Sequence, residues 1–368
     1  MQYYPSLNFS IFAIVKRKLS ILTMTLICIL SCGTRKESRS EHTHNGAVFT
    51  NPILPRGSSP CLTYHDGKYY YTQSNYIRVS LWCSESIEGL KTAKEHIVYN
   101  PKDTYYISGP RLYRTDGKWY IYYCSEGQDM STRLIHVLEN ESEDPLKGSF
   151  THKATIKTGN LKSIHPYVFR HRDKSYLLWS GYDNIQNNEI DLLRIYIAEM
   201  DTPWSISSKP SPILYPKYEW ECQWISNNGL KGKKPTYVNE APIAIHSRDS
   251  SKILLYFAAS QTYTSYYCEG LAITSAENDL LSPASWTKLP EPVFRQNPEA
   301  SVYGAGHLSF FATGEELYLL YQAYSSIDKN SMDHRSPRME KISWSKDGIP
   351  MLGMPSSLQI SFPEPSHR

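Results

Sequence analysis

One pattern recurs five times along this chain and leaves few folds open to it: a proline, a short alternating run, a turn, and a second run rich in tyrosine. Pro60-Cys-Leu-Thr-Tyr-His-Asp-Gly-Lys-Tyr-Tyr70 is the first copy, and Pro110-Arg-Leu-Tyr-Arg-Thr-Asp-Gly-Lys-Trp-Tyr120 repeats its internal spacing. Pro166 to Tyr176 is the third, with Arg172-Asp173 in place of Asp-Gly. Pro242 to Leu254 is the fourth, two residues longer at the turn, and the fifth runs from His307 to Leu317 through Thr313-Gly314. Asp-Gly between alternating runs marks a hairpin, because glycine takes positive φ without steric cost.

A further alternating run follows each of the first four hairpins: Ile77–Cys83, Thr132–Leu138, Leu192–Glu199 and Gly270–Ser275. Large apolar anchors, Phe150, Trp204 and Trp286, sit in the connections beyond. Successive copies start 50, 56, 76 and 65 residues apart, enough for about four short strands each. Units of that size read as propeller blades. The expected fold is therefore all-β, a five-bladed β-propeller over residues 48–355, with an outer strand from one terminus closing the ring. Long amphipathic helices are absent, which argues against a TIM barrel. A β-sandwich would leave the repeated register a coincidence. Radial repetition brings the start of each inner strand to the axis, so Ser59, Gly109, His165, Glu240 with Ala241, and Gly306 with His307 should meet in one funnel.

Lys16-Arg17-Lys18 precede an apolar run from Leu19 to Leu30, and Ser31-Cys32 follow. A basic stretch, a short apolar stretch and a small residue make a secretory signal, too short to span a membrane comfortably. Ile29-Leu30-Ser31-Cys32 resembles the bacterial lipobox. That implies cleavage after residue 31, a lipid on Cys32, a tether over 32–47, and an exported lipoprotein held at the cell envelope. An ordinary signal peptide with a chance cysteine is the alternative. Residues 356–368 would be a C-terminal tail. Removing the leader takes the basic count from 39 to 36, against 36 acidic residues. A neutral mature chain lacks the basic face that nucleic acid requires. Of seven cysteines, Cys28 lies in the leader; Cys61, Cys83, Cys124, Cys222 and Cys268 are scattered, with no CxxC pair to suggest zinc.

Leu193 to Trp204, Val238-Asn239-Glu240-Ala241-Pro242, Ser282 to Phe294, and Tyr303-Gly-Ala-Gly-His307-Leu-Ser-Phe310 stand in this order along the chain. In order and spacing they resemble glycoside hydrolase family 43, closest to its exo-acting α-L-arabinofuranosidases. The resemblance implies inversion with three carboxyls: a general base before the first repeat's proline, a pKa-tuning residue before the third's, and a general acid in the Asn-Glu motif. Inversion places acid and base about 6.5–9.5 Å apart across the sugar. Here the base position is Ser59 and the tuning position is His165; only the acid, Glu240, is retained. Ser108-Gly109-Pro110-Arg111 replaces the family's Ala-Pro-Glu. A protonated His165 would lower the pKa of Glu240, the wrong direction for an acid.

The resemblance also implies that His307 could hold a central metal, calcium by preference, with no cofactor otherwise required; a packed, hydrogen-bonded histidine is the plainer reading. Trp82, Tyr106, Trp220 and Trp224 could stack on sugar or pack between blades. Asn239 and Arg111 are further candidates for contacting substrate, Arg111 by pairing with Glu240 or an acidic sugar. Asp103 and Asp183 are candidates for a replacement base. The expected partner is an oligosaccharide or polysaccharide of plant type containing arabinose or xylose. Two functions remain open: a glycosidase using Glu240, and a carbohydrate-binding lipoprotein that has lost catalysis.

Overall fold

A computed structural model describes residues 46–127, 132–160, 162–182, 191–222, 236–327 and 334–367. The leader, Cys32, Asp183 and Trp224 lie outside the described residues. Within them the chain is strand with only short 3-10 turns. Each repeat forms the antiparallel hairpin expected of it: Cys61–His65 with Lys68–Thr72, Tyr105–Thr115 with Lys118–Glu126, Ser163–His171 with Lys174–Tyr182, Thr236–His246 with Lys252–Ala259, and Tyr303–Thr313 with Glu316–Tyr324. A third strand adds to each: Val79–Ser84, Arg133–Asn140, Asp191–Thr202, Cys268–Ser275 and Ser336–Trp344. Short outer strands complete the blades. Every inner strand touches the inner strand of the next blade, and that of blade 5 touches that of blade 1, so the five blades form a ring.

The core lies between blades. Tyr69 and Tyr71 pack against Phe311, Tyr318 and Leu320 of blade 5, while Tyr70 packs with Trp119 and Ile121 of blade 2. Equivalent clusters fill the other three interfaces. Successive residues of a strand point to opposite faces, and here both faces are covered, which is why these strands are apolar throughout. Tyrosine suits them because its ring fills the interface while its hydroxyl finds a partner. Tyr71 Oη donates to Gln73 at 2.9 Å and Tyr120 Oη to Glu139 at 2.9 Å. The five cysteines of the propeller are free thiols.

Two features depart from the sequence reading. Blades 3 and 4 share a short parallel ladder, Asp191–Leu193 beside Thr236–Val238, because the twelve-residue third strand of blade 3 overshoots its own sheet. Ring closure uses both ends of the propeller rather than one outer strand. Val48–Thr50 pairs with Ser361–Pro363 as a separate two-stranded clasp. The following residues then run along blade 5: Asn51 Nδ2 donates to Met339 O, Met339 N to Asn51 Oδ1, and Gly57 N to Arg335 O. The segment expected as a tail holds the clasp to blade 1. Glu364 accepts the Ile87 and Glu88 N–H groups at 2.8 Å, and His367 stacks on Tyr64 at 3.5 Å.

At the head of each inner strand the backbone turns through a left-handed residue: Ser59 (φ 56°), Gly109 (60°), His165 (55°), Ala241 (49°) and His307 (56°). In four blades proline follows, and the ladder register slips at the same place in blades 2 to 5. Such a bulge re-aims side chains. Each corner N–H is taken by a side chain of the preceding blade: Ser59 by Gln322, Gly109 by Ser74, His165 by the Cys124 thiol, Ala241 by Ser180, and His307 by Glu269. Removing one of these acceptors leaves a buried N–H unsatisfied. Ser180→Ala should therefore cost about 1–3 kcal/mol in urea denaturation. Gly109→Ala, whose new Cβ would meet His165 at an ordinary 3.4 Å, should cost about 1 kcal/mol from the positive φ alone.

Candidate active site

The five corners surround a cavity of about 180 Å³, with Ser59, Ser108, His165, Glu240 and His307 in its wall. Pockets for drug-sized ligands run to ~300–1,000 Å³, so this one suits a single small unit rather than a chain. The convergence of Ser59, His165 and Glu240 expected from the repeats is present.

Glu240 is 8% exposed. Its Oε1 accepts the Tyr267 hydroxyl at 2.8 Å, and its Oε2 lies 3.8 Å from His165 Nδ1. Burial raises its pKa to about 7; the Tyr267 hydrogen bond, Arg335 and Arg133 pull the other way and lose. Burial, with Arg133, Arg111 and Arg335 nearby, pushes His165 down to about 3. The imidazole is thus neutral at ordinary pH, and its Nδ1 has no hydrogen-bond partner. The 3.8 Å approach is a contact between neutral rings and carboxyl rather than an ion pair. His165 is therefore not the protonated neighbour that would make Glu240 a stronger acid. A carboxyl that is half protonated near pH 7 is matched to donating a proton there.

Among the described residues the rest of the cavity wall holds no comparable group. Ser59 Oγ accepts from Ser74 Oγ at 3.0 Å, and a neutral hydroxyl does not serve as a base. Among the described residues Glu240 is the only carboxyl lining the cavity. Asp103 is exposed and does not line it.

Several other candidates sit elsewhere. Trp82 is buried between blades 1 and 5, and Trp220 packs on the blade 3–4 core and stacks near Phe257. Asn239 is fully buried behind the wall: its Nδ2 donates to Glu221 Oε1 at 2.9 Å, and its Oδ1 accepts from Lys288 Nζ at 2.7 Å. Lys288 also pairs with Glu221 at 2.6 Å, so the trio fixes the strand that presents Glu240. Arg111 neither reaches Glu240 nor lines the cavity. It is buried, bonds Leu308 O and Ser309 Oγ at 3.4 Å, and lies over the Tyr167 ring. Tyr106 does line the cavity, 44% exposed.

Arg133, Arg335, Tyr76 and Tyr263 line the cavity and Tyr267 supports it, and the sequence reading missed all five. The two arginines had a legible signal. First and third strands of a blade run in the same direction, so third strands also begin at the funnel. Arg133 opens one, and Arg335 immediately precedes another.

The family resemblance implies that His307 could hold calcium, a packed histidine being the plainer reading. Its Nε2 is buried without a partner, and its neighbour is the His165 ring at 4.7 Å. Arg111 and Arg335 act on it electrostatically, and no group of three His, Cys, Asp or Glu is placed to hold a metal among the described residues. Calcium takes six to eight oxygens. A nitrogen beside guanidinium charge does not fit it.

Fold and site together define a class: an all-β, five-bladed propeller with a tuned carboxyl acid at its axis. The family model "Glycosyl hydrolases family 43" matches residues 49–350, and the chain belongs to that family. It is 31% identical over 353 residues to an extracellular exo-α-(1→5)-L-arabinofuranosidase of Streptomyces avermitilis, covering 92% of this chain and 70% of that protein. The enzyme of the same name from Streptomyces chartreusis is 32% identical over 288 residues, covering 75% of this chain and 83% of that one. Among solved structures, an α-L-arabinofuranosidase from Lactobacillus brevis superposes with TM-score 0.75 at 27% identity, over 84% of this chain and 98% of its own.

The sign of the Glu240 shift makes a stability prediction. Its folded-state pKa lies above the usual 4.5, so its contribution to stability is complete below about pH 4.5 and is lost as the pH rises through 7. The loss is on the order of 3 kcal/mol. Glu240→Gln should match the wild type near pH 4 and exceed it in stability above pH 8, measured by denaturant titration across that range.

Proposed function

We propose that this protein acts on glycans containing arabinose or xylose, seats one terminal sugar in the funnel, and uses Glu240 to protonate the glycosidic oxygen. The observation that carries the reading is the Glu240 carboxyl, oriented by Tyr267 and held near pH 7 at the wall of a sugar-sized cavity. The arabinofuranosidase names of its relatives support the substrate class. The described wall supplies only the acid half of an inverting reaction. The water's base comes from the substrate or from outside that wall.

A nucleophile that needs no deprotonation should fill the missing half. With an aryl α-L-arabinofuranoside, azide should attack the anomeric carbon as the aryl oxygen departs, raising turnover and giving an inverted glycosyl azide. With arabinan- or xylan-derived oligosaccharides, whose leaving oxygen needs a proton, Glu240→Gln should cut turnover by about 10²–10⁴-fold. Ser59 and His165, where the family resemblance expects carboxylates, favour a second reading in which the propeller binds glycan without cleaving it. Binding by calorimetry with no product, with or without azide, would establish that one and overturn catalysis.

Export and anchoring through a lipid on Cys32 belong to the same proposal, and the extracellular relatives support export. In a bacterial host, Cys32→Ala should abolish labelling by a clickable fatty acid and shift the protein out of the membrane fraction.

A further inference from the structure

Arg335 is 3% exposed, yet the partners of its side chain are neutral. Nη1 donates to Thr262 Oγ1 at 2.9 Å, Nη2 to the Tyr76 hydroxyl at 3.2 Å, and Nε is buried with no acceptor. No carboxylate lies within ion-pair distance of it among the described residues. Arg133, in the same wall, pairs with Glu126 at 2.5 Å and leans over the Tyr106 ring, but its Nε is also without an acceptor. Among the described residues the remaining wall is hydroxyls, two imidazoles, Ile164 and the Glu240 carboxyl. Ser59 and His165 place no negative charge in it. The described wall of the cavity therefore carries net positive charge taken out of water.

A desolvated cation without a counter-charge costs several kcal/mol, so it is a feature to be explained by what enters the site. A guanidinium with its Nε open presents the planar fork that grips a carboxylate or sulfate through two hydrogen bonds. We propose that the glycan recognised here bears an anionic group, a carboxylate or a sulfate ester, on or next to the sugar held in the funnel, and that Arg335 with Arg133 is its receptor. This rests on the reading that a terminal sugar enters the funnel, and it narrows that sugar's chemistry. It also gives the absence of carboxylates at Ser59 and His165 a use, since either would repel such a ligand.

The test is calorimetry of the full chain against four matched sets: neutral arabino- and xylo-oligosaccharides, the same glycans bearing a uronic acid, the methyl esters of those uronic acids, and sulfated forms. Tighter binding of the uronic acid or the sulfated set than of the neutral set, by about 30-fold at low salt and less at high salt, is expected, and which set wins identifies the anion. Loss of the gain on methyl esterification would tie it to charge. Arg335→Gln should remove the preference for the charged set over the neutral set; Arg335→Lys should restore part of it. Neutral glycans bound as tightly as charged ones would overturn the anion site and leave the proposed function standing. No binding by any set would overturn both.

Discussion

The funnel exists because five buried backbone N–H groups needed acceptors and found them one blade back. A left-handed corner with a following proline cannot continue the sheet ladder, so its own N–H must bond elsewhere. Gln322, Ser74, Cys124, Ser180 and Glu269 supply the acceptors, each reaching forward to the next corner. Hydrophobic packing holds the blades together along their faces, but it has no direction. The corner bonds fix how far each inner strand reaches toward the axis. They thereby decide which side chains meet there.

What meets there is a balance that burial wins. The Tyr267 hydroxyl and two guanidiniums favour the charged form of Glu240, and desolvation outweighs them. The same desolvation keeps His165 neutral. The outcome is a carboxyl whose pKa desolvation raises against the pull of its hydrogen bond and two guanidiniums. Burial alone does that work, so Glu240 keeps its tuning although Ser59 and His165 stand where the family resemblance expects carboxylates.

The fold was legible because its punctuation is chemical. Proline marks the corner of four hairpins and Asp-Gly the turn of the first two, and counting the recurrences gives the blades. The site was legible to the extent that strand geometry alone determines it: Ser59, His165 and His307 share the cavity because they occupy equivalent corners, and Glu240 because it immediately precedes the corner of blade 4. Asn239 misled for a reason the sequence contains, since neighbours in a strand face opposite ways and Glu240 already takes the funnel side. Trp82 and Trp220 misled because both faces of a propeller blade are buried, so an aromatic has an interface to fill wherever it falls. Arg335 was missed by looking only at inner strands. The clasp left no sequence signal: three residue pairs, a glutamate and a histidine carry no periodicity.

That clasp sets how tension would pass through the molecule. A tug on the chain ahead of Val48 reaches an antiparallel pair whose other member is fastened to the first blade by Glu364 and His367, while the residues just after it are stitched to the last blade. Load applied there is thus shared across the joint between first and last sheets instead of peeling one sheet from its edge.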